Sequence, residues 1–201
     1  MITASAAAQN YKPDSSESQH QKALLFSINE FRLDSFNGGI GFKYWISDGF
    51  AQIVTINGSY SKTEREQTET LTGNTDKNVG YGASMGIEKH WAITKDISPY
   101  VGASIGVAYE DKNEKVNSAN YLGALYTNER ITSSTSVSLN ISFGVEVFLA
   151  EHISLAGQYN LGAVHKSGEE EYKTPYSATK MKISELTVRI SSGGLILAVY
   201  F

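Results

Sequence analysis

Val79-Gly80-Tyr81-Gly82-Ala83-Ser84-Met85-Gly86-Ile87-Glu88 is the stretch that decides how the chain reads. Val79, Tyr81, Ala83, Met85 and Ile87 fall on one parity, Gly80, Gly82, Ser84, Gly86 and Glu88 on the other. A period of two belongs to a β-strand, whose successive side chains point to opposite faces. The second face is unusual. Glycine and serine with a single carboxylate make a poor surface for water but a good lining for a crowded, narrow interior.

The same alternation recurs on both sides of this stretch, over residues 22–31, 38–47, 51–62, 98–110, 135–148, 153–165 and 185–201. Leu24, Phe26 and Ile28 share a face in the first of these, and Val137, Leu139, Ile141, Phe143 and Val145 in the fifth. The last segment changes phase, because Leu186, Val188 and Ile190 are even while Leu195, Leu197, Val199 and Phe201 are odd. One inserted residue flips every later side chain to the other face, so a β-bulge is expected in Ser191-Ser192-Gly193-Gly194.

Connections alternate in character. Ser47 to Phe50, Trp91 to Ser98 and Leu149 to His152 are short, whereas 63–77, 111–134 and 166–184 are polar and read as long loops. Short turns at one rim and long loops at the other are the asymmetry of an outer-membrane barrel. Aromatics gather at both ends of the segments. Tyr44, Trp45, Phe50, Trp91, Tyr100, Phe148, Tyr200 and Phe201 stand near the short turns, and Phe31, Phe36, Tyr60, Tyr81 and Tyr109 near the long connections, as two interfacial girdles would require. The fold expected is all-β, an eight-stranded antiparallel up-and-down transmembrane β-barrel over residues 22–201. It is preceded at 1–21 by the remnant of a secretory signal (Ala4, Ala6 and Ala8 at alternate positions) and a flexible polar leader.

Composition bounds the function. A net charge of −4 argues against nucleic acid as a partner. No run of 18 apolar residues exists, so no helix spans a bilayer, but a barrel strand needs only about 9–11 alternating residues. With 0 Cys there is no disulfide framework or thiolate metal site. His20, His90 and His152 have no metal-ligand spacing and no glycine-rich phosphate loop opens a helix, so neither metal nor cofactor is expected.

On the small-residue face stand four charges from four segments: Lys43, Glu88, Glu146 and Arg189. Turned inward, two cations and two anions can neutralise one another as a lumen charge network, which buried charges require. An interior that eight strands leave only wide enough for side chains speaks against a general diffusion pore.

Gly38-Gly39-Ile40-Gly41-Phe42-Lys43-Tyr44-Trp45-Ile46-Ser47-Asp48 is a strand running into a tight turn, and Gly194-Leu195-Ile196-Leu197-Ala198-Val199-Tyr200-Phe201 is an alternating strand ending on Phe. On these two motifs the chain resembles the small outer-membrane β-barrel families of the OmpX, OmpA-barrel and opacity-protein type. Val199 stands where that family often carries Tyr. The resemblance implies an outer-membrane location in a Gram-negative-type cell, contact with membrane lipid and lipopolysaccharide, and reading of Phe201 by the barrel assembly machinery. It also implies a structural, adhesive or envelope-integrity role, with extracellular ligands met by 63–77, 111–134 and 166–184. Two alternatives stay open. His165 and Ser167, with Glu170 nearby, resemble the His-x-Ser element of PagL-type lipid A deacylases. A soluble, lipocalin-like ligand-binding barrel would instead turn its apolar face inward.

Overall fold

The computed structural model describes residues 22–32, 35–65, 73–91, 93–94, 96–119 and 125–201. The expected leader and signal remnant at 1–21 lie outside them. Every described strand is antiparallel to its neighbours. In chain order they are β1 (Lys22–Arg32), β2 (Ser35–Ser47), β3 (Phe50–Arg65), β4 (Gly73–His90), β5 (Ile97–Ala119), β6 (Leu125–Ala150), β7 (Ile153–Thr174) and β8 (Ser177–Tyr200). Each hydrogen-bonds to the next and β8 returns to β1, so the sheet curls into a ring.

The ring does not close evenly, and the regular eight-stranded barrel read from the sequence is corrected on this point. β5 and β6 pair over twenty-three residues, but β1 and β8 over only six, from Ala23↔Tyr200 to Ile28↔Leu195. The last strand is also interrupted. Gln158 faces Gly194 and Asn160 faces Ser191, so Ser192 and Gly193 share one position opposite Tyr159. The sheet therefore counts nine antiparallel strands and not a clean eight. The interruption lies within the predicted Ser191–Gly194 stretch, and it reconciles the two parities: Ile190 and Leu195 both face out, at 78 % and 57 % exposure.

The wall is apolar outside. Leu24, Phe26, Ile28, Ile40, Phe42 and Val54 are all exposed, while Lys43, Glu88 and Glu146 are buried. A soluble carrier with its apolar face inside has the opposite polarity. Inside, glycine is a steric requirement. A Cβ on Gly82 would stand 2.8 Å from the Val107 carbonyl oxygen, one on Gly86 2.6 Å from that of Ala103, and one on Gly144 would run into the Tyr100 ring.

The expected long loops need a second correction. β5 runs to Ala119, β6 begins at Leu125, and β7 and β8 are joined across Pro175 and Tyr176 alone. Most of 111–134 and 166–184 is therefore strand that continues past the apolar band. Beyond lipid both faces meet water, so the hydrophobic alternation stops although the backbone ladder does not. Cross-strand polar pairs replace it: Lys112 with Asp76 at 3.5 Å, Lys115 with Glu129 at 3.3 Å and Arg130 with Glu170 at 2.7 Å.

Arg130, then the Tyr172 hydroxyl, hold the Glu170 carboxyl below the usual carboxylate range, and Asn113, then Lys115, do the same for Glu129. A carboxyl whose pKa is depressed by folding stabilises the fold above its unfolded pKa of about 4.3, and that contribution is lost as pH falls through the lower folded value. Hydrogen exchange in the 127–134 and 166–174 segments is therefore expected to be slow and pH-corrected protection to fall below about pH 4. Protection unchanged down to pH 2.5 would show that these pairs contribute nothing to the projecting ladder.

Candidate functional site

The largest buried polar cluster described lies inside the short-turn end. β2 presents Lys43, β4 presents Glu88 and His90, β5 Ser98 and Tyr100, β6 Glu146, β7 Ser154 and β8 Tyr200. All point inward because the period of two places them there. The Lys43 ammonium sits 2.9 Å from Glu146 Oε2 and 3.3 Å from Glu88 Oε2. On its remaining side it meets aromatic faces, 4.9 Å from the Trp45 ring centroid and 5.9 Å from that of Tyr100. Lys43, Glu88 and Glu146 are exposed by only 3 %, 7 % and 2 %, so each would be costly to bury without the others.

Glu146 is the hub. Its Oε1 accepts from the Tyr200 hydroxyl at 2.6 Å and from Ser154 Oγ, while Oε2 takes the lysine. His90 is stacked on Tyr100, with ring centroids 4.8 Å apart, and its Nδ1 lies 3.2 Å from Ser98 Oγ. Its Nε2 stands 3.1 Å from Lys43 Nζ and 2.9 Å from Glu88 Oε2. One ring nitrogen accepts from the ammonium or donates to the carboxylate, not both. With His90 neutral, one cation faces two carboxylates, and protonation of the ring balances the cluster.

Of the four charges singled out in the sequence, Lys43, Glu88 and Glu146 are brought together. Arg189 pairs through its backbone with Gly162, and its side chain lies outside those described. His90, Tyr100, Ser154 and Tyr200 were missed as members, although parity was signal enough: His90 shares a face with Glu88, and Tyr100 with Gly102. Tyr100 and Tyr200 read as girdle residues because they stand at strand ends. That reading is corrected, as is that of Trp45 and Phe148, which pack inward against the Ala23–Leu25–Ala198–Tyr200 cluster. Tyr44, Phe50, Trp91 and Phe201 do face outward, at 39 %, 43 %, 49 % and 56 % exposure. The side chains of Phe31 and Phe36 lie outside those described.

The His165–Ser167 pair is exposed on the outer wall. Glu170, on the opposite parity, is buried at 6 % exposure and held by Arg130. The three proposed members of a hydrolase site thus lie on two sides of the sheet, where a carboxylate cannot orient the histidine. Among the described residues no group of three or more His, Cys, Asp or Glu could hold a metal ion.

An apolar outer wall, a glycine-lined interior and a buried charge cluster fit an integral outer-membrane protein of a Gram-negative-type bacterium. The chain belongs to the family described as outer membrane protein beta-barrel domain, whose model matches residues 2–190. It is a small outer-membrane β-barrel protein. Similar solved structures include CarO of Acinetobacter baumannii, at 9 % identity and TM-score 0.47, and Ail, the attachment invasion locus protein of Yersinia pestis, at 14 % and 0.40. The N-terminal barrel domain of Pseudomonas aeruginosa OprF is similar at 12 % and 0.38. Each comparison covers 90 % of this chain and 98 % of the other. No curated protein matches the chain.

Breaking a buried ion pair from one side costs about 3–5 kcal/mol, because it strands the remaining charge. Lys43→Ala, which leaves Glu88 and Glu146 facing each other, is expected to lower unfolding stability in urea by about that amount. The triple variant Lys43→Met, Glu88→Gln, Glu146→Gln should recover most of it. A single variant as stable as the wild type would remove the plug as a structural element.

Proposed function

We propose that the protein is a surface-interaction barrel, anchored in the outer membrane and presenting its projecting β-ladder to molecules outside the cell. The observation that carries this reading is the free edge of β8. From Ser177 to Ile190 β8 pairs with β7, whereas β1 pairs with β8 only between Leu195 and Tyr200. Among the described pairings nothing covers the other side of the projecting 177–184 edge. An uncovered edge is a row of backbone donors and acceptors that an extended segment of another protein can extend as a further strand. Lys180 and Lys182 stand on it as exposed cations, of the kind that discourages edge-to-edge self-association and favours an acidic partner.

The anchor supplies rigidity and the ladder supplies contact, the usual division between scaffold and functional surface. Within the same reading, the Gly194–Phe201 strand is what the assembly machinery engages: Phe201 is exposed beside Phe42, with ring centroids 6.4 Å apart.

The test is a ladder shortened by deleting residues 170–182, compared with the full chain for adherence of expressing cells to a serum-protein-coated surface. Retention of the gel-mobility shift on boiling establishes that the anchor still folds. Adherence is expected to fall at least tenfold. Equal adherence of both, with detergent sensitivity of the envelope raised in cells lacking the protein, would replace this reading with an envelope-integrity role.

A further inference from the structure

Most glycines of this chain are enforced by close contact, and Gly157 is not. On Gly41, Gly82 or Gly86 a Cβ would come within 2.9 Å of another strand, whereas on Gly157 it would meet nothing within 4 Å. Gly157 lies on the outward parity of β7, between Val145 of β6 and Leu195 of β8 in the ladder. Phe143 and Tyr159 form the next outward row, exposed at 54 % and 64 %. At Gly157 a cavity of about 600 Å³ lies along these two rows, lined also by Tyr100, Gly144, Gln158 and Gly194.

The surroundings decide the occupant. The notch opens on the wall that faces the outer membrane's hydrocarbon, so it is continuous with an interface already occupied by lipid chains. Its described lining is mostly apolar and aromatic and includes no cation to hold a phosphate. Gly157 stands four residues from Ile153, the first residue of β7 at the short-turn end. That places it on the periplasmic side of the band, where the lipids are phospholipids rather than lipopolysaccharide. We propose that Gly157 is the seat of a phospholipid acyl chain, which takes the place of the absent side chain and is held longer than the lipids around it.

The full chain in detergent, titrated with palmitoyl-oleoyl phosphatidylethanolamine and analysed by native mass spectrometry, tests this. The wild type is expected to retain one phospholipid under activation that strips detergent. Gly157→Leu should lower the retained fraction about tenfold. Gly58→Leu should not, although Gly58 is also an outward strand glycine whose Cβ would have only one neighbour, at 3.9 Å. Gly157→Ala should give a smaller loss, and it keeps the test decisive if leucine prevents the boiling-dependent mobility shift. Undiminished retention in the Gly157 variants, or an equal loss in Gly58→Leu, would overturn the seat. Equal retention of lipid A offered alone would overturn its assignment to phospholipid.

Discussion

Hydrocarbon offers no hydrogen-bond partner, so every backbone N–H and C=O crossing it must be satisfied within the wall. The closing seam between β1 and β8 meets this demand with only six residue pairs. It is there that the interior is most heavily braced. The one cluster of buried apolar residues described, Ala23, Leu25, Ala198 and Tyr200, straddles the seam. Tyr200 pairs with Ala23 across it and donates its hydroxyl to Glu146. Glu146 in turn reaches across the lumen to Lys43 on β2. The charge plug thus ties the last strand to the second through the sixth, so that side chains fasten from within what the short ladder holds from the edge.

A wall that keeps its apolar side chains for lipid must pack its interior with something else. Over the middle of the lumen that material is glycine, serine and asparagine. Gly162 lies against the Asn140 amide, Gly106 against Ser138, and Thr55 hydroxyl is 2.6 Å from that of Ser84. Small residues let facing groups approach closely, and neutral polar groups supply the contacts there. Among the described side chains, the inward charges of the plug stand near the short-turn end, beside Trp45 and Tyr100.

Parity along the strands made most of this legible in the sequence. It identified the strand centres, the inward face, three members of the plug and the bulge in β8, because all depend on a period of two imposed by lipid on one side. Where lipid ends, that signal ends. Residues 111–119 and 127–134 therefore read as loop, although Thr132, Ser134 and Arg130 continue the same alternation between neighbouring strands. Position along the strand also misled: Tyr100 and Tyr200 sit at the height of a girdle, but their parity turns their hydroxyls into the lumen. The short β1–β8 seam left no trace in the pattern, because it lies in which strands pair and over what length, and single strands do not carry that information.

One sheet therefore passes through two solvents and changes what holds it together. Inside the membrane, an unpaired backbone group costs several kcal/mol, and the ladder cannot open locally. Above it, water competes for every backbone group, and exposed ion pairs such as Lys115 with Glu129 contribute about 0–1 kcal/mol each. The projecting part of β5 to β8 is consequently the softer portion of the same strands, at the end where no described strand covers the outer edge of β8. For the surface-interaction role proposed above, softness above and rigidity below would suit a contact surface: the anchor would fix where the edge stands, and an incoming strand would supply the hydrogen bonds that stiffen it.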